Sequence, residues 1–187
     1  MKRIPYNKQY IGKDDKKLVN LSLSQELITT GKKVLEFEKK IKNFTKSRFA
    51  LSCNNGTSAL HLALMSINVK KNDVILIPAV NFISSYSMSK SLNAKIYLSD
   101  VDPISGIMRP DLLENCIKKN KIKKIKAIIT MHHGGNPEYV EEFYKLKKKY
   151  NCYLLEDSCH ALGSSYIHNS KSLFIGSCKH SDISTFS

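Results

Sequence analysis

Two carboxylates and a histidine follow an apolar run in the last third of the sequence. Leu154 and Leu155 lead into Glu156 and Asp157, and His160 comes three residues after the second acid. A carboxylate at the end of a buried strand can stabilise a cationic ring nitrogen, and the histidine can reach a phenolic oxygen or an acidic partner. A strand that simply ends in acidic capping groups has the same pattern, so this motif alone leaves both interpretations open.

A second segment has the composition of a phosphate cradle. The sequence NNGTS at 54–58 follows a short apolar run and leads into an apolar helical pattern. Gly56 and Thr57 would therefore stand at a helix start, where free backbone N–H groups can bind a phosphate. An ordinary asparagine-glycine turn with an N-cap is the simpler alternative.

Two further residues could complete a ligand site. Phe82 follows an apolar run that stops at Pro78, and its ring is either a stacking platform beside a pocket or a core aromatic. The closing segment SDISTFS at 181–187 has strand character and places a hydroxyl, that of Ser187, at its end. Each of these signals is weak when taken alone.

The elements that must position these residues alternate between helical and strand periodicity. Helices are predicted at 34–46, 57–67, 82–92, 110–118 and 137–150. Strands are predicted at 48–53, 74–77, 95–98, 125–131, 152–155 and 181–187. This alternation predicts an α/β fold whose sheet is mainly parallel and flanked by helices. Ligands of such sheets bind beyond the carboxyl ends of the strands, so the loops after Cys53, Ile77, Met131 and Leu155 are the expected site.

Length and composition limit the class of protein. A chain of 187 residues with 42% hydrophobic content can bury one sizeable core, so we expect a single domain. No apolar run approaches the roughly 20 residues that span a bilayer, and no apolar stretch follows the basic residues Lys2 and Arg3. We therefore expect a cytoplasmic protein with neither a membrane segment nor a secretory signal.

The cysteines predict neither disulfides nor a metal site. Their number is five, which is odd, and no CxxC pair occurs. Cys159 and His160 with Cys178 and His180 contain metal-ligating groups, but their spacing fits no common site. Reduced, partly buried thiols are the expected state, and no metal is predicted.

The net charge of +14 brings a nucleic-acid-binding domain into consideration. Only three of the 30 basic residues are arginines, whose guanidinium groups make most bidentate contacts to bases and phosphates. The lysines lie in runs at 118–126 and 145–149, which are typical of solvated helix faces. Such a domain would leave the NNGTS and EDSCH motifs unexplained, so we expect no nucleic acid and keep this class as an alternative.

In their order along the chain, the motifs resemble those of the fold-type-I enzymes that use pyridoxal phosphate (PLP) to aminate nucleotide-linked keto-sugars, the DegT/DnrJ/EryC1/StrS-type sugar aminotransferases. The resemblance extends over essentially the whole chain. It rests on the segments NNGTSAL, PAVNF, DVDP, LLEDSCHALGS and SDISTFS. The spacing from Tyr6 through Gly31 to NNGTSAL, together with SCHALGS, is most similar to the 4-aminotransferases of pseudaminic acid biosynthesis.

The resemblance implies that six residues bind PLP, namely Gly56, Thr57, Phe82, Asp157, His160 and Ser187. Gly56, Thr57 and Ser187 would hold the phosphate, and Phe82 would stack on the pyridine ring. Asp157 would keep the ring nitrogen protonated, which makes PLP an electron sink, and His160 would lie near the ring oxygen. Asp157 and His160 are therefore the expected catalytic residues.

The resemblance also implies the substrates and the assembly. The substrates would be a nucleotide-linked keto-sugar and L-glutamate, with glutamate as the amino donor. The sugar nucleotide would face an early set of residues, namely Tyr6, Glu26, Leu27, Ile28, Thr29, Thr30 and Gly31. A homodimer is implied, in which each active site is built from both subunits, and this suits early segments that contact a site made mostly by later residues.

One residue of the family pattern does not occur in this sequence. The Schiff-base lysine of the family lies about five residues beyond the serine that matches Ser187. We therefore expect residues 1–187 to form the N-terminal segment and most of the PLP-binding large domain, without the rest of that domain and the small C-terminal domain, and to be inactive alone. Nucleotide-sugar dehydratases of the same fold carry histidine at the lysine position, so a dehydratase is the alternative within the family.

Overall fold

Helices and strands alternate along most of residues 8–187, the part of the chain that the computed structural model describes. The helices are α1 (Lys13–Leu23), α2 (Lys32–Thr45), α3 (Gly56–Ser66), α4 (Ser84–Ser91), α5 (Pro110–Lys119) and α6 (Val140–Tyr150), with a 3-10 turn at His133–Gly135. The strands are β1 (Val74–Pro78), β2 (Lys95–Ser99), β3 (Ala127–Met131), β4 (Tyr153–Asp157), β5 (Ser165–His168), β6 (Lys171–Phe174) and β7 (Ile183–Thr185). Within residues 8–187, no helix is long and apolar enough to cross a membrane.

Five parallel strands form the central sheet in the order β2-β1-β3-β4-β7. The register places Met131 of β3 opposite Asp157 of β4, and Asp157 opposite Thr185 of β7. β5 and β6 form a separate antiparallel hairpin. The α/β fold with a mainly parallel sheet flanked by helices is confirmed, and the last residues of β3, β4 and β7 meet at one edge.

Two hydrophobic clusters cover the two faces of the sheet. Leu155 of β4 belongs to the cluster that contains α3, whereas Leu154 belongs to the cluster that contains α5 and α6. Because successive side chains of a strand point to opposite faces, Asp157 shares the α3 face with Leu155, and Glu156 shares the α6 face with Leu154. The alternation that buries the core therefore also separates the two acidic side chains.

Most predicted elements agree with the structure to within a few residues, but one predicted strand is wrong. Residues 48–53 form no strand, and Phe49 and Leu51 are exposed. A strand requires a hydrogen-bonded neighbour, and within residues 8–187 no strand pairs with this segment. An apolar run alone does not reveal whether such a neighbour exists.

The sequence interpretation also missed two elements, α1 and the β5–β6 hairpin. α1 buries none of its residues, and its apolar residues lie only in its second half, at positions 18, 19, 21 and 23. The hairpin turns at Asn169 and Ser170, which both have positive φ. That backbone is the one required by a two-residue hairpin turn, for which asparagine at the first position is a known signal.

The different burial of two isoleucines predicts how their replacement by alanine changes the stability of the protein. Ile129 of β3 is fully buried, whereas Ile104 is 95% exposed in a loop. Ile129→Ala should lower the free energy of unfolding by about 2–5 kcal/mol, because it leaves a cavity in the core. Ile104→Ala is the matched control and should change it by less than about 0.5 kcal/mol. Urea denaturation followed by circular dichroism measures both, and equal effects would contradict the assigned core.

Candidate functional site

A pocket of about 400 Å³ lies between the carboxyl ends of β3 and β4, the loop after β1 and the start of α3. It brings together all six residues that the sequence predicted for the cofactor, namely Gly56, Thr57, Phe82, Asp157, His160 and Ser187. It also contains residues to which the sequence analysis assigned no individual role, namely Asn55, Leu60, Ser84, Met131 and Cys159. Residues far apart in sequence therefore converge at the sheet edge where a parallel α/β fold binds its ligands.

Asp157 is the acidic side chain of this pocket. It ends β4 on the α3 face, and only 1% of its surface is exposed. The backbone N–H of Cys159 donates a hydrogen bond to Asp157 Oδ1 over 3.3 Å. A carboxylate that is this deeply buried needs a cationic or hydrogen-bonding partner, and the pocket is the place where a ligand can supply one.

The start of α3 offers hydrogen-bond donors to the same pocket. The side chain of Asn55 caps the helix by accepting from the N–H of Ser58 over 2.8 Å. Within residues 8–187, the N–H groups of Gly56 and Thr57 donate to no protein acceptor. These free donors and the positive end of the helix dipole make the start of α3 suited to an anionic group.

Gly56 is required by the close approach of two neighbours. A Cβ atom at this position would lie 2.9 Å from Cβ of Ser187 and 3.1 Å from Sγ of Cys159. Any larger residue would therefore push the end of β7 away from α3. The glycine of the NNGTS motif is explained by this packing.

Serine side chains connect the start of α3 to the loop after β1. The hydroxyl oxygens of Thr57 and Ser84 are 2.6 Å apart, and Ser84 is buried. Asn81 donates to Ser85 over 3.0 Å and accepts from the N–H of Phe82 over 2.7 Å. The loop is thus held in place while the ring of Phe82, which is 67% exposed, stands at the mouth of the pocket.

His160 lies at the exposed side of the pocket, against the turn that follows β3. The N–H of Gly134 donates to His160 Nδ1 over 3.4 Å, and the ring centroids of His133 and His160 are 5.8 Å apart. Gly135 has a φ of +81°, and a Cβ there would lie 2.8 Å from the carbonyl oxygen of His160. The glycines of this turn therefore allow it to approach the histidine closely.

Cys159 lines the pocket beside Asp157 and Gly56. Burial and the adjacent Asp157 carboxylate raise the pKa of its thiol to about 12. The thiol is therefore neutral at physiological pH, and Cys159 acts as a small apolar wall residue rather than a nucleophile.

The predicted substrate residues do not line this pocket. Tyr6 lies outside the described residues. The other six, Glu26, Leu27, Ile28, Thr29, Thr30 and Gly31, form the connection between α1 and α2, which is almost entirely exposed. Their contact with the sugar nucleotide stays a prediction. It would require these residues to reach a binding surface that is not the pocket wall of their own chain.

Metal ligands do not converge in the part of the chain that is described. Within residues 8–187, no group of three or more histidine, cysteine, aspartate or glutamate side chains is arranged to hold a metal ion. The polar groups of the pocket residues are instead one carboxylate, one imidazole, one amide, one thiol, hydroxyl groups and free backbone N–H groups.

Comparison with known proteins gives a family match over nearly the whole chain. Residues 9–187 match the DegT/DnrJ/EryC1/StrS aminotransferase family. An uncharacterized protein of Methanocaldococcus jannaschii is 32% identical over 163 residues, which are 87% of this chain and 41% of that protein.

Two solved structures have the same fold. The PLP form of Spr1654 from Streptococcus pneumoniae, assigned as a sugar aminotransferase, aligns with a TM-score of 0.86 and 27% identity over 98% of this chain and 48% of that one. PseC from Helicobacter pylori, an aminotransferase involved in the biosynthesis of pseudaminic acid, aligns with a TM-score of 0.80 and 28% identity over 91% of this chain and 45% of that one. This chain thus spans less than half the length of these relatives, and the family that they represent is PLP-dependent.

The raised pKa of Cys159 predicts its reactivity. At pH 8 its thiolate fraction should be about 10⁻⁴, because the pKa is about 12. Iodoacetamide should therefore modify the exposed Cys53 first and Cys159 far more slowly, with a rate for Cys159 that rises about tenfold per pH unit up to pH 11. Peptide mass spectrometry after timed labelling measures both rates, and denatured protein is the control. Equal labelling of the two cysteines in folded protein at pH 8 would contradict the raised pKa of the half-buried Cys159.

Proposed function

The chain belongs to the DegT/DnrJ/EryC1/StrS aminotransferase family, and we propose that the complete protein uses PLP to transfer an amino group from L-glutamate to a keto carbon of a nucleotide-linked sugar. The observation that carries this proposal is the pocket in which the buried Asp157 and the free N–H groups of α3 face one cavity. The resemblance to the PLP form of Spr1654 over 98% of the chain supports it.

The residues of the pocket fit the two ends of PLP. A phosphate requires several donors, which the N–H groups of Gly56 and Thr57 and the hydroxyl of Ser187 would supply. A protonated ring nitrogen requires a buried carboxylate, which Asp157 would supply. Because residue 56 has no Cβ atom, Ser187 lies close to the start of α3, where its hydroxyl could join these N–H groups at one phosphate.

Asp157, Phe82 and His160 would have different roles towards the bound cofactor. PLP, when bound, supplies an electron sink for the bond that breaks at the substrate carbon. Asp157 would hold a proton on the ring nitrogen, because burial leaves this carboxylate with few other partners. Phe82 would cover one face of the ring at the pocket mouth, and the imidazole of His160 would hydrogen-bond near the ring oxygen.

We further propose a UDP-linked 4-keto sugar of pseudaminic acid or related surface-glycan biosynthesis as the substrate. The corresponding product is UDP-4-amino-4,6-dideoxy-N-acetyl-β-L-altrosamine. The similarity to PseC and the spacing from Tyr6 through Gly31 to NNGTSAL support this choice. The net charge of +14 favours the approach of a nucleotide diphosphate.

A homodimer is part of this proposal. α1 buries none of its residues, and four apolar side chains on it are more than half exposed, namely Leu18, Val19, Leu21 and Leu23. An 11-residue helix is marginal in water without packing partners. A second subunit that covers α1 would stabilise it, and would bring the 26–31 connection of one subunit towards the pocket of the other.

Replacing Asp157 tests the proposed catalytic role. In the complete protein, Asp157→Asn should lower kcat/KM for glutamate-dependent amination by roughly 10²–10³, the usual cost of losing one preorganised electrostatic contact. Asp111→Asn is the matched control, because Asp111 is exposed at the start of α5, and its activity should equal that of the wild type. The assay measures 2-oxoglutarate and the aminated sugar. Equal activities of the two variants would refute the role of Asp157.

The same assay separates the proposed reaction from its alternative within the family. An aminotransferase releases 2-oxoglutarate in proportion to the amino sugar, whereas a dehydratase removes a hydroxyl from the sugar. Loss of the sugar hydroxyl without an amino product would assign the dehydratase activity instead.

A further inference from the structure

Glu156 is a second buried acid beside the proposed PLP site, and the proposed mechanism does not use it. It precedes Asp157 in β4, its exposed fraction is 4%, and it points to the α6 face of the sheet. Two adjacent acids are therefore buried on opposite sides of one strand end. Burial of an unpaired carboxylate is strongly unfavourable, so the charge of Glu156 requires a partner.

His132 is placed to be that partner. It follows β3, its exposed fraction is 3%, and its Nε2 lies 3.3 Å from Oε1 of Glu156. This separation is that of an ion pair, although the alignment is too poor for a hydrogen bond, and within residues 8–187 Nε2 has no other partner. Ser181 Oγ donates to the other carboxylate oxygen of Glu156 over 2.8 Å.

The backbone of His132 also contacts the catalytic candidate. Its N–H donates to the carbonyl oxygen of Asp157 over 3.1 Å, which extends the β3–β4 ladder by one bond. Side chains alternate between the two faces along a strand, so His132 shares a face with Ile128, four residues earlier. Ile128 belongs to the cluster that contains α6, which is the face of Glu156, whereas Met131 lines the pocket on the other face. The residue thus joins the end of β4 through its backbone and Glu156 through its ring.

Other titratable groups near Glu156 do not provide a cation. Burial, and to a smaller extent the nearby Glu156 carboxylate, raises the pKa of Tyr166. The same two causes raise the pKa of Cys178 to about 11, so both side chains are neutral at physiological pH. Burial and the neighbouring His168 lower the pKa of His180, whose Nδ1 is 2.6 Å from the hydroxyl of Tyr166.

Two further acids near this cluster have other partners, and Lys179, which is adjacent to His180, is exposed at the surface. Asp182 contacts Lys147 over 2.6 Å, and Glu141 contacts His168 over 2.9 Å. The imidazole of His132 is therefore the group best placed to balance Glu156.

We propose that His132 is a positioning residue whose imidazole neutralises Glu156 on the α6 face, so that Asp157 retains its negative charge for the cofactor on the α3 face. An imidazolium 3.3 Å from the Glu156 carboxylate forms a pair that carries no net charge. The strand end then holds a single net negative charge, that of Asp157. The part of this proposal that concerns PLP rests on the proposed function.

Charge-matched variants of the complete protein test the pair, because glutamine is close in size to both side chains. His132→Gln leaves Glu156 unbalanced, so PLP affinity should fall at least about tenfold. Glu156→Gln removes the need for a cation and should change the affinity less than about threefold. The double variant, which is neutral again, should regain an affinity within about threefold of the wild type. Titration of PLP by absorbance measures the four dissociation constants.

The thermal stability of ligand-free protein tests the Glu156–His132 pair independently of PLP binding. In ligand-free protein, His132→Gln should lower Tm by roughly 4 °C or more, and adding Glu156→Gln should restore at least half of this loss. A role in packing alone predicts additive losses instead. Additive losses in both Tm and PLP affinity, or a His132→Gln variant that equals the wild type, would overturn the proposal. A wild-type protein that binds no PLP while the Tm pattern holds would refute only the proposed function.

Discussion

The proposed function depends on one arrangement that the fold creates, in which the buried carboxylate of Asp157 and the open start of α3 face the same pocket. Neither group is satisfied by the described protein alone, because Asp157 accepts only a long hydrogen bond and the first N–H groups of α3 have no acceptor. The parallel sheet holds the two together by burying Leu155 and Ile129 against α3. These core residues hold β4 against α3, so a displacement of β4 would separate the two polar ends of the pocket.

The fold was predictable where burial produces a recognisable pattern of apolar residues in the sequence. Strands β1, β3 and β4 are buried on both faces and read as apolar runs, and the amphipathic helices α5 and α6 show their inner faces clearly. The six cofactor candidates converge because the carboxyl ends of parallel strands share one edge. The elements and the edge at which the site lies follow from local periodicity and a general rule of topology, whereas the choice of these six residues came from the resemblance to the family.

Other features depend on contacts that no local pattern records. The segment 48–53 is as apolar as a strand but has no neighbouring strand among the described residues. Ser84 and Cys159 are ordinary in sequence, and only the packing of α3 against α4 and β7 makes them part of the pocket. The pairing of Glu156 with His132 joins residues 24 positions apart on adjacent strands, so it could be recognised only from the register of β3 and β4.

A structure of the complete protein with PLP tests the central claim most directly. We expect phosphate oxygens within about 3 Å of the N–H groups of Gly56 and Thr57, and the ring nitrogen within about 3 Å of the Asp157 carboxylate. A cofactor bound at another edge of the sheet, or an Asp157 side chain that contacts only protein atoms while PLP is present, would contradict the claim.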